Sequence, residues 1–508
     1  MISEIFTSTT YGVDAFIVRV ETHIDNALFS FAIVGLPDSA VKESKERVAA
    51  AIKNSLFHFP IRRYTVNLSP ADVKKEGSGF DLPIAIGIIC ETSQVSPSKI
   101  KDYIFIGELS LDGKLRPVTG VLPITLEGRK NNFKGIILPV ENAKEAAIVE
   151  GINVYPFENL VEVIDFLNGD VSPQPFKINI NELFEQERNY LVDFADVKGQ
   201  VEVKRAMEVA AAGSHNIIMI GLPGSGKTML AKRLPTILPP LTLDEALETT
   251  KIHSIAGILP ANTAIISTRP YRSPHHTASD VSLVGGGPNA KPGEISFAHN
   301  GVLFLDELTE FKKNVLEVMR QPLEDRNVTI SRSKITVQYP CNFMLVAAMN
   351  PTPAGTQKEA SMYSEFEVQK FLSKISGPIL DRIDLHIHVN PVKYQELSSK
   401  TESERSEQVR SRVVRARERQ LRRFKNRKGI YANSSMASKE IKEFCKINAD
   451  CENLMKMAIT KLGLSARAYD RILKVSRTIA DLSGEDNINS AHISEAIQYR
   501  SLDRTSWM

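Results

Sequence analysis

Near the middle of the chain, a glycine-rich segment has the residue types and spacing that bind phosphate. It consists of Gly221, Leu222, Pro223, Gly224, Ser225, Gly226, Lys227 and Thr228. The apolar run 216–220 before it predicts a buried parallel strand, and 229–234 continues as a helix. Glycines let backbone N–H groups face inward, where they and the helix N-terminus can hold triphosphate oxygens. We predict that Lys227 contacts the β and γ phosphates and that Thr228 is a ligand of Mg²⁺, although a flexible glycine-rich turn has the same composition.

Two adjacent carboxylates, Asp306 and Glu307, follow a second apolar run about 80 residues later. An Asp at the end of a strand can hold Mg²⁺ beside a nucleotide, and a neighbouring Glu can polarise the attacking water. The separation leaves room for intervening strands of one doubly wound sheet. We therefore predict Asp306 as a second Mg²⁺ ligand and Glu307 as the base. Taken alone, the pattern is also typical of a strand that ends in solvated acids.

Length and composition are those of a protein of several domains. A chain of 508 residues corresponds to roughly three domains, and 42% apolar residues is enough for ordinary cores. No apolar run approaches the ~20 residues that cross a bilayer. Residues 1–4 do not begin a positive region followed by an apolar segment, so we expect no secretion signal. We therefore expect a cytoplasmic protein without membrane contact. The four cysteines are scattered, without the paired spacing of a zinc site.

The net charge of +3 is unevenly distributed. Residues 405–428 contain eleven Lys or Arg and two Glu, with few Gly or Pro, which predicts a long basic helix. Such a helix could contact nucleic acid, lie in solvent, or dock on an acidic surface of a neighbouring subunit. Charge alone does not choose among these interpretations.

The chain divides into four parts by composition and pattern. Residues 1–170 alternate strands and helices, and 171–190 have the composition of a linker. Residues 191–395 contain the nucleotide motifs in repeated strand and helix patterns. Residues 396–508 are predicted to be mostly helical, with Ser490 as the N-cap of the terminal helix.

At this point the motifs carry a resemblance to a known family. Their order resembles the magnesium-chelatase-like AAA+ ATPases and, more narrowly, the ComM/YifB family, over nearly the whole chain. The motifs lie at 221–228, 274–276, 292–301, 305–307, 348–351 and 376–384. The resemblance implies an α/β fold: an AAA+ P-loop core with a parallel sheet flanked by helices, an N-terminal α+β Lon-protease-like domain and a C-terminal helical lid. It also implies ATP and Mg²⁺ as cofactors, a homohexameric ring, and DNA branch migration during natural transformation.

The resemblance assigns roles to three further residues. Asn350, after the apolar run 343–348, resembles the sensor-1 residue that contacts the γ-phosphate or the attacking water. Arg382 resembles the finger that a neighbouring subunit directs at the γ-phosphate, where a guanidinium neutralises charge. Arg467 resembles the sensor-2 arginine of the lid. A turn-forming Asn before Pro351, and surface ion pairs of the two arginines, are the alternative interpretations.

Two segments resemble elements that face the channel of such rings. Residues 285–294 resemble an insertion in the ATPase core, and 328–337 have the alternation of a hairpin with a basic tip. Lys291, Arg332 and Lys334 are therefore predicted to contact the phosphate backbone of DNA, which is a salt-dependent and sequence-independent interaction. Solvated charges at loop tips are the alternative.

The N-terminal block resembles a Lon-like domain without its chemistry. A Lon peptidase needs a Ser nucleophile and a Lys base, and the corresponding positions hold Gly79 and Leu122. We expect a platform for DNA binding or assembly, with Lys74 and Lys75 as contacts. The histidines, including the adjacent pair His275 and His276, are expected to be hydrogen-bonded structural residues rather than metal ligands.

Three functions compete on these grounds. The leading hypothesis is a ring ATPase that moves on branched or single-stranded DNA, with recombination proteins as further partners. The second is a magnesium-chelatase-like motor that remodels a protein partner, and the third is an ATP-dependent protease, which the residues at 79 and 122 disfavour. Stimulation of hydrolysis by DNA separates the first from the other two.

Overall fold

The computed structural model describes residues 2–95, 99–180, 182, 184, 190–260, 263–332, 335–351, 375, 377–392, 403–427, 429–462 and 465–500. The chain forms two compact units. The first unit comprises Met1–Glu187 and Leu243–Ser267, and the second comprises Arg188–Thr242 and Thr268–Met508. In the described residues, no helix combines the length and apolar character needed to cross a membrane.

The first unit is built on one large mixed sheet. Its strands are β1 (Ser3–Tyr11), β2 (Asp14–Asp25), β3 (Ser30–Val34), β4 (Arg63–Ser69), β5 (Tyr103–Phe105), β6 (Glu108–Leu109), β7 (Leu115–Arg116), β8 (Gly135–Pro139) and β9 (Asn153–Phe157). Its helices include α1 (Ser39–Asn54), α2 (Asp81–Glu91), α3 (Val121–Lys130), α4 (Ala143–Ala146) and α5 (Leu160–Asn168). Seven strands form the sheet in the order β3-β4-β2-β1-β5-β8-β9, and β6 and β7 form a separate pair.

The core of the first unit lies between this sheet and its helices. Helix α2 is apolar on nearly every face and packs against β1 and β2. A Cβ at Gly87 in α2 would lie 2.5 Å from the Thr22 hydroxyl of β2, so only glycine permits this close approach. At the start of α2, the buried Asp81 accepts hydrogen bonds of 2.7 and 3.0 Å from Arg47 of α1. This ion pair ties the two helices together.

The second unit holds the nucleotide motifs. It begins with α6 (Val201–Gly213), β10 (Ile217–Ile220) and α7 (Lys227–Ile237), and the next helix, α8 (Leu243–Ala256), belongs to the first unit. The later strands are β11 (Tyr271–Arg272), β12 (Gly285–Gly286), β13 (Lys291–Pro292), β14 (Val302–Leu305), β15 (Asn327–Arg332), β16 (Ile335–Pro340), β17 (Met344–Met349) and β18 (Leu385–His388). The helices among them are α9 (Asp280–Val284), α10 (Glu294–Phe297), α11 (Lys313–Glu317), α12 (Arg320–Asp325) and α13 (Gly377–Leu380).

Five of these strands form a parallel sheet in the order β11-β14-β17-β10-β18. Strands β10, β14 and β17 are buried at every position, which is why their sequences are continuous apolar runs. The parallel sheet and its flanking helices confirm the predicted α/β fold class. Since the strands are parallel, the loops after their carboxyl ends meet at one edge, where ligands bind in such sheets.

Five more helices of the second unit lie in the described residues after β18. They are α14 (Ser406–Arg423), α15 (Ser438–Phe444), α16 (Ala449–Leu462), α17 (Ala466–Ser483) and α18 (Ser490–Gln498). Single-turn 3₁₀ helices lie along the whole chain at Ser78–Phe80, Ile100–Asp102, Val140–Asn142, Phe194–Asp196, Leu308–Glu310 and Asn433–Ser435. The prediction of Ser490 as the N-cap of α18 is wrong by one residue. Asn489 is the cap, because its side chain accepts a hydrogen bond from the His492 N–H.

Helix α8 packs within the first unit although it lies between the nucleotide motifs in sequence. The Gly120 N–H, just before α3, donates to the Ser254 carbonyl over 3.2 Å. The buried Glu145 carboxylate accepts hydrogen bonds from the Ser254 hydroxyl and from the Leu122 N–H. By sequence pattern this helix falls in the block 191–395. The contacts of α8 instead make it part of the first unit.

Candidate active site

The phosphate-binding loop joins β10 to α7 at the carboxyl edge of the parallel sheet. Gly224 and Gly226 have φ angles of +77° and +93°, and a Cβ at either position would meet no atom within 4 Å. Glycine is therefore required at both positions by the backbone conformation and not by lack of space for a side chain. Ser225 Oγ is buried and has no hydrogen-bond partner among the described residues. A phosphate oxygen would satisfy this hydroxyl, so the loop fits the predicted ligand.

Lys227 lies at the start of α7 with only 8% of its surface exposed. Its Nζ donates to the carbonyls of Gly221 and Leu222 over 2.6 and 2.9 Å, and to Asn350 Oδ1 over 3.3 Å. Burial lowers the pKa of Lys227, and the charges of Asp306 and Glu307 partly offset this effect. The Lys227 ammonium and the Asn350 side chain are thus in contact at the carboxyl edge of the sheet.

Thr228 and Asp306 also meet. The Thr228 Oγ1 donates to Asp306 Oδ2 over 2.8 Å. Adjacent ligands of an octahedral Mg²⁺ lie about 2.9 Å apart, because each oxygen lies ~2.0–2.1 Å from the metal. The hydroxyl and carboxylate oxygens therefore fit two neighbouring positions of such a site, and the ion would need no rearrangement of the strands to reach both.

Glu307 follows Asp306 in a left-handed backbone conformation, with φ of +50°. Its N–H donates to Asp306 Oδ1 over 3.0 Å, which fixes the turn after β14. The side chain is 53% exposed, and its Oε2 lies 3.2 Å from His276 Nδ1. The carboxylate therefore belongs to this edge of the sheet and has a specific partner there.

The two predicted catalytic arginines contact carboxylates of their own unit. Arg382 forms an ion pair with Glu324 of α12, and Arg467 forms one with Asp381. The Arg382 carbonyl accepts a hydrogen bond of 2.8 Å from Asn216, the residue just before β10. Burial lowers the pKa of Arg382, and nearby arginines lower it further. The segment that carries Arg382 is therefore anchored to the residue that precedes β10.

The two predicted channel elements pack against each other. The Tyr339 hydroxyl of β16 donates to the Ala290 carbonyl over 3.0 Å. Gly286 has a φ of +151°, and a Cβ there would lie 2.8 Å from the Arg332 guanidinium. Strands β12, β13, β15 and β16 thus form one element, which we call the paired hairpins. Lys291 and Arg332 are exposed on it, whereas Lys334 lies outside the described residues.

In the basic stretch, the name we give to residues 405–428, several described arginines contact other groups of the second unit. The guanidinium of Arg412 contacts Glu208 and Glu404, and that of Arg423 contacts the fully buried Asp481. Other arginines of α14 contact further carboxylates and backbone carbonyls. From the sequence, this basic helix was expected to lie in solvent or to contact nucleic acid or a neighbouring subunit. Much of its charge instead fixes α14 to acidic residues of the same unit.

One expectation for the first unit is wrong. Lys75 was predicted to contact DNA, but its surface is fully buried and its Nζ donates to the Val73 carbonyl over 2.7 Å. Burial also lowers its pKa. Lys74 is more accessible and pairs with Glu76 over 2.7 Å. Leu122, at one of the positions where a peptidase would need chemistry, is buried at the start of α3.

Sequence reasoning missed a cavity beside the phosphate loop. It has a volume of about 120 Å³ and is lined by Asp196, Val197, Lys198, Gln200, Ser225, Gly226, Met229, Leu230 and Val392. Its apolar side chains suit the base of a nucleotide whose phosphates lie on the loop. The lining comes from three segments that are far apart in sequence, so no local motif marks it. The contact between His276 and Glu307 was missed for the same reason.

The chain matches three family models and is similar to several known proteins. The family models described as magnesium chelatase, subunit ChlI, as subunit ChlI of Mg-chelatase, and as magnesium chelatase, subunit ChlI C-terminal, match residues 193–397, 20–142 and 403–500. The chain is 44% identical to the competence protein ComM of Haemophilus influenzae, over 98% of this chain and 97% of that protein. It is 40% identical to the uncharacterized protein YifB of Escherichia coli, over 99% and 98%. It is 24% identical to the magnesium-chelatase 67 kDa subunit of Heliobacterium mobile, over 38% and 30%.

Proposed function

This chain belongs to the ComM/YifB family of magnesium-chelatase-like AAA+ proteins, and from that premise we propose that it is an ATP-hydrolysing ring motor acting on DNA. Its work is branch migration or strand separation during recombination of incoming DNA, in the cytoplasm. ATP hydrolysis is supported by two contacts at one edge of the parallel sheet. Lys227 contacts Asn350, and Thr228 contacts Asp306. These are the groups that phosphoryl transfer requires.

Hydrolysis follows from the positions of these groups. Lys227 exchanges its contacts with two loop carbonyls for oxygens of the β and γ phosphates. Thr228 and Asp306 would hold Mg²⁺, which when bound would neutralise charge on the phosphates. Asn350 donates a hydrogen bond to the γ-phosphate or the water, and Glu307 accepts the proton of the attacking water.

Ring assembly completes the site. Arg382 leaves Glu324 and reaches the γ-phosphate bound by the neighbouring subunit, where its guanidinium stabilises charge in the transition state. Arg467 acts from the lid on the nucleotide of its own subunit. Both residues exchange a carboxylate partner for a phosphate, which is a replacement of one anion by another. Six copies of the chain form the ring by analogy with other AAA+ motors.

DNA contact is assigned to the paired hairpins. Lys291 and Arg332 provide positive charge on an element built of two mutually braced hairpins, which suits a backbone grip that does not read sequence, and Lys334 follows β15 in sequence and is assigned the same role. The name of the relative from Haemophilus influenzae, a competence protein, supports a substrate of incoming DNA. Recombination proteins are further partners under this proposal.

A second candidate is a motor that remodels a protein partner. It is favoured by the family models for magnesium chelatase, which match both the nucleotide region and the C-terminal helices. This candidate uses the same ATP site and predicts hydrolysis that is indifferent to DNA.

The test is ATP hydrolysis by the purified protein, alone and with single-stranded, duplex and four-way-junction DNA. Lys227→Ala serves as the blank, and Lys232→Ala, an exposed lysine of the same helix, is the matched control. We expect DNA to stimulate hydrolysis in the wild type and in Lys232→Ala and to have no effect on Lys227→Ala. Hydrolysis that no DNA changes would favour the protein-remodelling motor.

A further inference from the structure

The outer edge of β3 is open at one side of the seven-stranded sheet of the first unit. Strand β3 is last in the strand order, and among the described residues only β4 pairs with it. The strand at the opposite side, β9, is covered, because the Phe176 N–H donates to the Val154 carbonyl over 2.8 Å. An edge strand whose backbone groups face solvent can pair with another extended segment.

Exposed apolar side chains lie where β3 and β4 begin. Leu28 and Phe29 precede β3, and Ile61 precedes β4. Leu28 and Ile61 keep 94% and 85% of their surface exposed. Because β3 and β4 are parallel, with Ser30 beside Arg63, Leu28 and Ile61 lie at the same level of neighbouring chain segments. We call Leu28, Phe29 and Ile61 the apolar rim, and an exposed apolar cluster of this kind is typical of an interaction site.

The apolar rim is held in place by aromatic packing beneath it. Tyr64 is fully buried, and between ring centroids the Phe59 ring stacks on it at 4.6 Å and the Phe29 ring meets it edge-on at 6.3 Å. The loop before β4 is also fixed by Gln94, whose side chain accepts from the His58 N–H over 2.6 Å and donates to the His58 carbonyl over 2.8 Å. The rim is therefore preorganised, so binding a partner there costs little conformational entropy.

Positive charge surrounds the apolar rim. Arg62 and Arg63 are exposed and form no ion pair with another described residue. The Lys53 ammonium lies 5.3 Å from the centroid of a ring in the same aromatic cluster. The Asp25 carboxylate, across from Arg63 in the ladder, contacts His23 instead. A partner with carboxylates would therefore complement this surface.

We propose that the outer edge of β3 and the apolar rim together bind an extended acidic peptide of a partner protein. The peptide backbone adds a strand beside β3, its apolar side chains lie on the rim, and its carboxylates contact Arg62 and Arg63. Single-stranded DNA has the same sign of charge, but Leu28 and Ile61 have no ring to stack on its bases. A second copy of this surface would bring like charges together. The inference is independent of the ATPase function proposed above.

The experiment selects peptides for the full-length protein from a phage-displayed library of random dodecapeptides. The affinity of a selected, fluorescently labelled peptide is then measured by anisotropy. We expect the selected peptides to combine Asp or Glu with apolar residues. Leu28→Ser combined with Ile61→Ser should weaken binding roughly tenfold or more, as the loss of central interface contacts does. Val140→Ser combined with Val171→Ser removes two other exposed apolar side chains of the first unit and should leave the affinity unchanged.

Backbone methylation of the selected peptide tests strand addition separately from side-chain contact. Two versions of the peptide carry N-methyl groups at alternate residues, in opposite phase. Only alternate N–H groups of an added strand face its neighbour, so one version should lose its affinity and the other should keep it. Equal affinities of the two versions overturn strand addition.

Three further results would overturn the acidic-peptide site. The first is a selection in which no peptide distinguishes the wild type from the Leu28→Ser, Ile61→Ser variant, or in which the selected peptides lack acidic residues. The second is a loss of affinity for a single-stranded oligonucleotide in that variant, which would assign the surface to nucleic acid. The third is a change of assembly mass in analytical ultracentrifugation, which would assign it to contact between copies of the chain.

Discussion

The paired hairpins predict a specific change in how DNA binding depends on salt. Lys291 and Arg332 are exposed on this element and come from different hairpins, so we treat them as two independent phosphate contacts. Each contact to a single strand contributes about 0.7 to the slope of log affinity against log salt. Replacing both residues by Gln should therefore reduce the slope by about 1.4, and adding Lys334→Gln should reduce it by about 0.7 more.

This change in slope has a measurable consequence for affinity. Between about 50 and 200 mM salt, a slope difference of about 1.4 means that the advantage of the wild type over the double variant shrinks roughly sevenfold. Fluorescence anisotropy with a labelled single strand, titrated at several salt concentrations, measures it. The matched control replaces Arg415 and Lys425, exposed members of the basic stretch, by Gln and removes the same charge.

The two double variants decide where the DNA lies. The control should keep the wild-type slope, because the paired hairpins and not the basic stretch are assigned to DNA. A hairpin variant with the wild-type slope would refute the assignment. Equal reductions in both variants would also refute it, since binding would then depend on total charge and not on a particular surface.

Three further predictions concern the active site and the stability of the second unit. Glu307→Gln should still bind ATP, but its turnover should fall by about 10²–10⁴, the usual contribution of a general base; wild-type turnover would remove Glu307 from the mechanism. Arg382→Ala should bind ATP without hydrolysing it, and mixing it with Lys227→Ala should restore activity through composite sites; mixtures as inactive as their parts would contradict a finger acting between subunits. Arg423→Ala should destabilise the second unit by about 2–3 kcal/mol in a denaturant titration. This is less than the ~3–5 kcal/mol of a fully broken buried pair, because Asn433 and Arg477 still contact Asp481. An unchanged unfolding midpoint would contradict this prediction.

The features that the sequence could predict are those whose determining residues all lie in one short segment of the chain. The phosphate loop is such a feature, because its strand, its glycines and Lys227 are consecutive and each has a local physical reason. The buried strands of the parallel sheet are another, since burial on both faces leaves continuous apolar runs. The sequence also predicted Thr228 and Asp306 as ligands of one Mg²⁺, and in the structure their side chains contact each other.

The features that sequence could not predict depend on contacts between distant segments. Lys75 lies in a segment whose composition is typical of an exposed basic loop, yet its Nζ donates to the backbone carbonyls of Pro70 and Val73. Arg412 belongs to a run of charge, but its partner Glu208 lies about 200 residues earlier in the chain. His276 and Glu307 meet only because β11 and β14 are neighbours in the sheet. In each case the determining partner is set by topology, which a charge pattern does not record.

The position of α8 bears on how the protein is made. The first unit is complete only when residues 243–267 have joined it, and these are synthesised after β10, the phosphate loop and α7. During translation the surface that receives Ser254, including the carboxylate of Glu145, must therefore wait uncovered while part of the second unit emerges from the ribosome. The N-terminal part of this protein cannot finish folding first in the manner of an independent domain. A fragment ended at the linker would lack a helix that contacts Gly120 and Glu145 of the same unit, so the unit is better isolated by fusing 243–267 to its end than by truncation.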